Sequence, residues 1–96
     1  MVRRKRPWSI LSSHGLVLVV VARFGDITVP DIAEKTGLSR STVLHSLKDL
    51  RRSRMIRVRR RGRRNEYEMQ EEAKFRHPVL RDLEIGGLLR AVAKPA

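Results

Sequence analysis

The fold is constrained most strongly by one stretch, "LSRSTVLHSLKDLRRSRMIRVRRRGRRNEYEM", from Leu38 to Met69, because its periodicity changes along its length. Apolar residues first recur at helical spacing and later alternate with charged residues. This change from a period of 3.6 to a period of two predicts a helix followed directly by a β-hairpin. The segment 51–64 carries nine arginines and no acidic residue. Such crowding of like charge is costly, and contacts to phosphate groups would relieve it.

The helix is predicted over 39–53, with Ser39 as its N-cap. Val43, Leu47 and Leu50 recur at i, i+4 and i+7, which places them on one buried stripe. The opposite stripe carries hydrogen-bonding and cationic groups of the kind that read the DNA major groove. The alternative is an ordinary solvated helix face. The candidate DNA-contacting residues of this helix are Ser39, Arg40, Ser41, Thr42, His45 and Lys48, and Arg52 continues their stripe.

A short helix is predicted immediately upstream, in "TVPDIAEKTG". Thr28 is a candidate N-cap, Pro30 suits the first turn, and Gly37 supplies a left-handed stop. Because the next helix starts two residues later, the pair forms a helix-turn-helix pattern. Before it, "DITV" suggests an edge strand, and the apolar run from Leu16 is predicted to be a buried helix that ends near Gly25.

The hairpin is predicted over 55–69, with Gly62 at the bend. A recognition helix followed by a basic hairpin is the pattern of a winged helix-turn-helix, in which the wing contacts the flanking DNA backbone or the minor groove. The candidate wing residues are Arg59, Arg60, Arg61, Arg63 and Arg64.

Composition supports a polyanion as the partner. The 96 residues suffice for one small domain, and 22 Lys plus Arg against 10 Asp plus Glu give a formal net charge of +12.

The chain has no cysteine, and we find no catalytic constellation, so neither an enzyme nor a cofactor is expected. The apolar run "GLVLVVVA" is too short to span a bilayer, so no membrane association is expected. We therefore expect a cytoplasmic, nucleoid-associated protein that binds double-stranded DNA; the sequence specifies no small-molecule effector.

A rival hypothesis comes from a different class of function. Winged helices also dock onto structured RNA or acidic proteins through their basic residues, by shape rather than by base reading.

Four motifs carry a family resemblance: "WSILSSH" at Trp8, "DIAEKTGLSRSTV" at Asp31, "GRRNEYE" at Gly62 and "RHP" at Arg76. Together they resemble small prokaryotic MarR-like winged-helix transcriptional regulators. The resemblance implies a mainly α fold with a small β-hairpin (α+β), a stand-alone winged helix-turn-helix with an extra C-terminal helix, and DNA binding as a dimer. The chain departs from the family pattern at Arg54, where such proteins usually have glycine. Either the helix continues there or Arg54 adopts a left-handed backbone.

The C-terminal helix is predicted to start near Pro78 and is interrupted by Gly86 and Gly87. We expect a basic tail at 1–7, the winged domain at 8–77 and a dimerisation element at 78–96. The alternative is that this helix closes the domain's own core. The candidate interface residues for a homodimer are Leu88, Leu89 and Val92.

For the other distinctive residues we expect structural roles in preference to functional ones. Trp8 is expected to cover the core rather than to stack on a base. His14 and His77 are expected to bond to nearby backbone, and no metal site is predicted from three scattered histidines. The run "RRKR" at 3–6 is either a solubilising end or an arm for the minor groove.

Overall fold

A computed structural model describes residues 8–75 and 77–92. The helices and strands in these ranges are α1 (Ser13–Phe24), α2 (Val29–Thr36), α3 (Arg40–Arg52), β1 (Ile56–Arg61), β2 (Arg64–Met69) and α4 (Gly86–Val92). This is the α+β winged helix-turn-helix with a further C-terminal helix that the sequence predicts. The basic tail at 1–7 lies outside the described residues.

Hydroxyl side chains begin the first three helices. The hydroxyl of Ser12 accepts a hydrogen bond from the Gly15 N–H at 3.3 Å, and Thr28 Oγ1 accepts from the Asp31 N–H at 3.3 Å. Ser39 Oγ accepts from the Thr42 N–H at 3.1 Å. Each bond satisfies a backbone donor that has no partner inside its helix. The caps predicted at Thr28 and Ser39 are confirmed.

The core lies between α1, α2 and α3. Val17 and Val21 of α1 are buried against Ile32 of α2 and Val43 of α3, all within one apolar cluster. The predicted buried stripe of α3 is confirmed, because Leu47 and Leu50 are also in this cluster. The apolar run from Leu16 is helical, as predicted.

The edge strand predicted at "DITV" is wrong. Thr28 serves as the N-cap of α2 and Val29 is its first residue, so too few residues remain for a strand. Ile27 instead inserts into the core from a loop. One backbone bond, from the Tyr67 N–H to the Gly25 carbonyl at 3.5 Å, connects this loop to the hairpin.

Arg54 adopts a left-handed backbone, with φ of 61°. The second of the two predicted alternatives is therefore confirmed, and α3 ends at Arg52. The turn is closed by the Arg54 N–H bonding to the Arg51 carbonyl and the Met55 N–H bonding to the Leu50 carbonyl, both at 3.0 Å. This tight reversal brings the start of β1 against the core directly after α3.

The hairpin pairs in one continuous register from Ile56 opposite Met69 to Arg61 opposite Arg64. Gly62, at φ of 59°, forms the turn, so the predicted bend is confirmed. Tyr67 is buried on the inner face, and burial raises the pKa of its phenol. The strands are buried at their base and exposed at the tip.

The C-terminal segment does not begin its helix at Pro78 as predicted. Residues 77–85 form turns, in which the Leu80 N–H bonds to the His77 carbonyl at 2.9 Å. The chain must first return alongside 71–75, where the Ile85 N–H bonds to the Ala73 carbonyl at 2.8 Å. This antiparallel pairing delays α4 until Gly86.

Leu89 lies in the core of its own chain, at 3% exposure, and Ile85 beside it is at 0%. The prediction that Leu89 lies in a dimer interface is therefore wrong. For this residue the alternative holds: Leu89 closes the core of its own chain. Leu88 and Val92 are only partly buried.

The chain before α1 also differs from expectation. Trp8 is 89% exposed and Ile10 is 86% exposed, so Trp8 does not cover the core. The backbone turns at Ser9, whose hydroxyl accepts from the Leu11 N–H at 3.0 Å and so directs these residues outward.

We expect Arg54→Gly to raise the free energy of unfolding by about 1 kcal/mol, because glycine adopts positive φ without steric strain. Chemical denaturation measures this change. Arg57→Gly is the matched control: it removes the same side chain from β1 and should lower stability by about 0.5–1 kcal/mol. A loss of stability in both variants would contradict a strained backbone at Arg54.

Gly86 and Gly87 form a second matched pair. A Cβ at Gly86 would lie 2.9 Å from the Glu71 carbonyl oxygen, whereas a Cβ at Gly87 would have no neighbour within 4 Å. Gly86→Ala should therefore destabilise the protein by about 1–3 kcal/mol through overpacking. Gly87→Ala should stabilise it by up to about 1 kcal/mol through helix propensity. Equal effects of the two substitutions on thermal unfolding would contradict the close approach at Gly86.

Candidate nucleic-acid interface

The predicted recognition residues share one exposed surface that runs from the N-cap Ser39 along α3 to Lys48. Of the six candidates, Thr42 is partly buried and the other five are exposed. This exposure follows from the buried stripe, because the opposite side of α3 is held against α1 and α2. The major groove of DNA is wide enough to admit an α-helix, so side chains exposed in this way can reach base edges.

Ser39, the N-cap of α3, has a structural role within this surface. Besides accepting from the backbone of Thr42, Ser39 Oγ donates to Thr42 Oγ1 at 2.8 Å and lies 3.2 Å from Ser41 Oγ. These hydroxyls form a local network, so part of their hydrogen-bonding capacity is used inside the protein. Arg40, His45 and Lys48 project beyond the network, and no ion pair within 4.0 Å is found for the side chains of Arg40 and Lys48 among the described residues.

His14 does not bond to nearby backbone as expected. Its Nε2 lies 2.8 Å from Oδ2 of Asp49, so α1 is connected to α3 through side chains. His45 approaches the same oxygen, with its Nε2 at 3.4 Å. The hydrogen bond from His14 is the largest cause that lowers the pKa of Asp49 below its ordinary value. No local pattern in the sequence indicates this cluster, because His14 and Asp49 are 35 positions apart.

The wing presents a mixture of paired and unpaired arginines. Cross-strand acids partly neutralise two of them: Arg59 lies 3.7 Å from Glu68, and Arg61 lies 3.4 Å from Glu66. These pairs are exposed, so each contributes little to stability.

Two further wing residues remain without an acidic partner. Within the described part of the chain, no acid lies within 4 Å of the guanidinium of Arg60 or Arg63. The Nε of Arg60 donates to the Gly62 carbonyl at 3.2 Å, which braces the turn at the tip.

Arg64 has a separate role that the sequence did not suggest. Its Nε lies 3.3 Å from an Asp26 carboxylate oxygen, and its terminal nitrogen donates to the Asp26 carbonyl at 3.4 Å. Asp26 follows the end of α1, so this pair ties the second strand of the wing to the helical body. Arg64 therefore holds the wing against the helical body and also contributes positive charge to the wing.

Other kinds of site are not evident in the described ranges. No group of three or more His, Cys, Asp or Glu side chains there could hold a metal ion. None of the helices described has the length and apolar character needed to cross a membrane.

The third histidine, His77, accepts a hydrogen bond at Nδ1 from the Val79 N–H at 3.2 Å, so its predicted backbone bond is confirmed.

A comparison with protein families gives a match to the MarR family over residues 9–64, more than half of the chain. The match runs from the residues before α1 to the start of β2. It therefore includes the helix-turn-helix, the first strand of the wing and the turn at its tip. No curated protein matches the chain.

Proposed function

The chain belongs to the MarR family of DNA-binding transcriptional regulators, and we propose that it recognises specific double-stranded sequences by placing α3 in the major groove. The family consists of regulators rather than enzymes. DNA as the partner would place the protein at the nucleoid in the cytoplasm. The observation that carries the proposal is the exposed polar and cationic surface of α3, which is followed within four residues by an arginine-rich hairpin.

In this proposal the two elements have different tasks. Side chains on α3, chiefly Arg40, Ser41, Thr42, His45 and Lys48, meet base edges and adjacent phosphates. Ser39 contributes by capping the helix at the Thr42 N–H, while the other N–H groups of the first turn stay available to a phosphate. The wing contacts the flanking backbone or the minor groove through Arg59, Arg60, Arg61, Arg63 and Arg64.

We also propose that two copies act together. Members of the family typically act as dimers, and a two-fold axis would place two recognition helices about 34–36 Å apart, one turn of DNA. Leu88 and Val92 remain candidates for the contact because they are only partly buried on α4. The exposed Trp8 and Ile10 add apolar surface that a second copy could cover.

Selection of bound duplexes from a random pool tests the whole proposal. Enrichment of one motif would support base reading, and a palindrome with half-sites one helical turn apart would support the dimer. Folded RNA at equal phosphate concentration serves as the competitor. If RNA displaces every duplex and no motif is enriched, the protein docks on nucleic acid by shape, and the proposal of sequence-specific DNA binding is wrong.

We expect the double variant Arg60→Ala, Arg63→Ala to bind all duplexes more weakly to a similar degree. The slope of log affinity against log salt concentration should fall by up to about two, because two phosphate contacts are lost. Fluorescence anisotropy at several salt concentrations measures this slope.

Arg90→Ala is the control for the wing variant. Arg90 lies on α4 and pairs with Glu71 at 3.8 Å, outside both DNA-facing elements, so its loss should leave the slope unchanged. A double variant that alters sequence preference while retaining the full salt slope would show that the wing reads bases instead of phosphates.

A further inference from the structure

Three ionisable side chains meet at one oxygen atom beside the recognition surface. Asp49 Oδ2 lies 2.8 Å from His14 Nε2 and 3.4 Å from His45 Nε2, and the two imidazole centroids are 6.4 Å apart. His45 is the most exposed member, with 73% of its side chain accessible, against 47% for His14. The cluster therefore reaches from α1 to the surface proposed to face DNA.

The carboxylate can only accept in this arrangement. The hydrogen bond from His14 lowers the pKa of Asp49, so the group is ionised at neutral pH and has no proton to donate. His14 must then present an N–H at Nε2 to Oδ2. The other charged neighbours of Asp49 are His45 and Arg52, both on α3.

The same carboxylate also favours one nitrogen of His45 as the position of the proton. A lone pair on Nε2 facing an anionic oxygen at 3.4 Å would be repelled, so the neutral ring places its N–H there. The lone pair is then on Nδ1, which becomes a hydrogen-bond acceptor. Fixing a ring tautomer through its second nitrogen is how carboxylates orient metal-binding histidines, and the physical argument is the same here.

We propose that His14 is a positioning residue that determines specificity through Asp49, by holding His45 as an acceptor at Nδ1. Such a ring selects a base with an exocyclic amino group in the major groove, adenine N6 or cytosine N4, over the acceptor edge of guanine. This inference rests on the proposed function, because it takes α3 to lie in the major groove.

His14 is needed because two residues of α3, His45 and Arg52, compete for the carboxylate. Arg52 lies one helical turn after Asp49 and also attracts it. Without His14, Asp49 is free to turn toward Arg52 and away from His45. The imidazole of His45 would then exchange between tautomers, and its preference between donor and acceptor base edges would be lost.

The experiment compares duplex selection at pH 8 by the wild type and four single variants, with circular dichroism to verify folding. His14→Ala and His45→Ala should each lower enrichment of the preferred base at one position of the motif about five- to tenfold. His14→Gln should restore it, since the glutamine amide can donate to Asp49 in place of Nε2–H. His77→Ala is the control: it removes a histidine outside the cluster and should select as the wild type does.

A fifth variant, Asp49→Asn, provides a readout that a structural role of His14 would not affect. The neutral amide lacks the negative charge that repels a lone pair at His45 Nε2, so this variant should lose the preference at the same position of the motif. It also tests the inference if His14→Ala does not fold.

The outcomes separate the inference from the proposed function. If the wild type enriches no motif, the proposed function fails and the inference fails with it. If His45→Ala loses the preference but His14→Ala and Asp49→Asn keep it, the positioning role is overturned while base reading by α3 stands. A failure of His14→Gln to restore selection also overturns it.

Discussion

The packing of α3 against α1 is the constraint on which the other features depend. Val43, Leu47 and Leu50 are committed to the core, so the opposite side of the same helix must face outward. A helix of 13 residues cannot bury one stripe without fixing the orientation of every other stripe. The exposed polar surface, the position of His45 and the direction in which the chain enters the wing all follow from that one set of apolar contacts.

The concentration of positive charge sets the second constraint. The two strands of the hairpin can pair only if the repulsion between their arginines is tolerated. The register places acids opposite some of these arginines, with Glu66 opposite Arg59 and Glu68 opposite Arg57. Asp26 neutralises Arg64 from outside the hairpin and connects it to the helical body. The remaining repulsion is concentrated at the tip, where phosphate groups are the counterions that would relieve it.

Local patterns predicted much of this structure because their causes are local. A hydroxyl at Thr28 or Ser39 caps the helix that follows it, and the glycine at Gly62 permits the turn that the hairpin needs. The family match over 9–64 agrees with the resemblance seen in the motifs.

What the sequence did not predict depends on pairs distant along the chain. The contact of His14 with Asp49 and the contact of Arg64 with Asp26 join residues 35 and 38 positions apart. The late start of α4 has the same origin, since the backbone at Ile85 first pairs with Ala73. Periodicity carries no information on such pairings, because each member satisfies its own local pattern equally well without its partner.

Commitment of Leu89 to the core changes the balance of forces in the proposed dimer. Each copy then has less apolar surface on α4 to offer, while each carries a formal charge of +12 that repels the other. Exposed apolar groups such as Trp8 and Ile10 would have to offset that repulsion in the free protein. A duplex neutralises both copies at once and holds them one helical turn apart, so it lowers the repulsion that opposes their contact. Dimerisation and DNA binding would therefore be thermodynamically coupled, with each event strengthening the other.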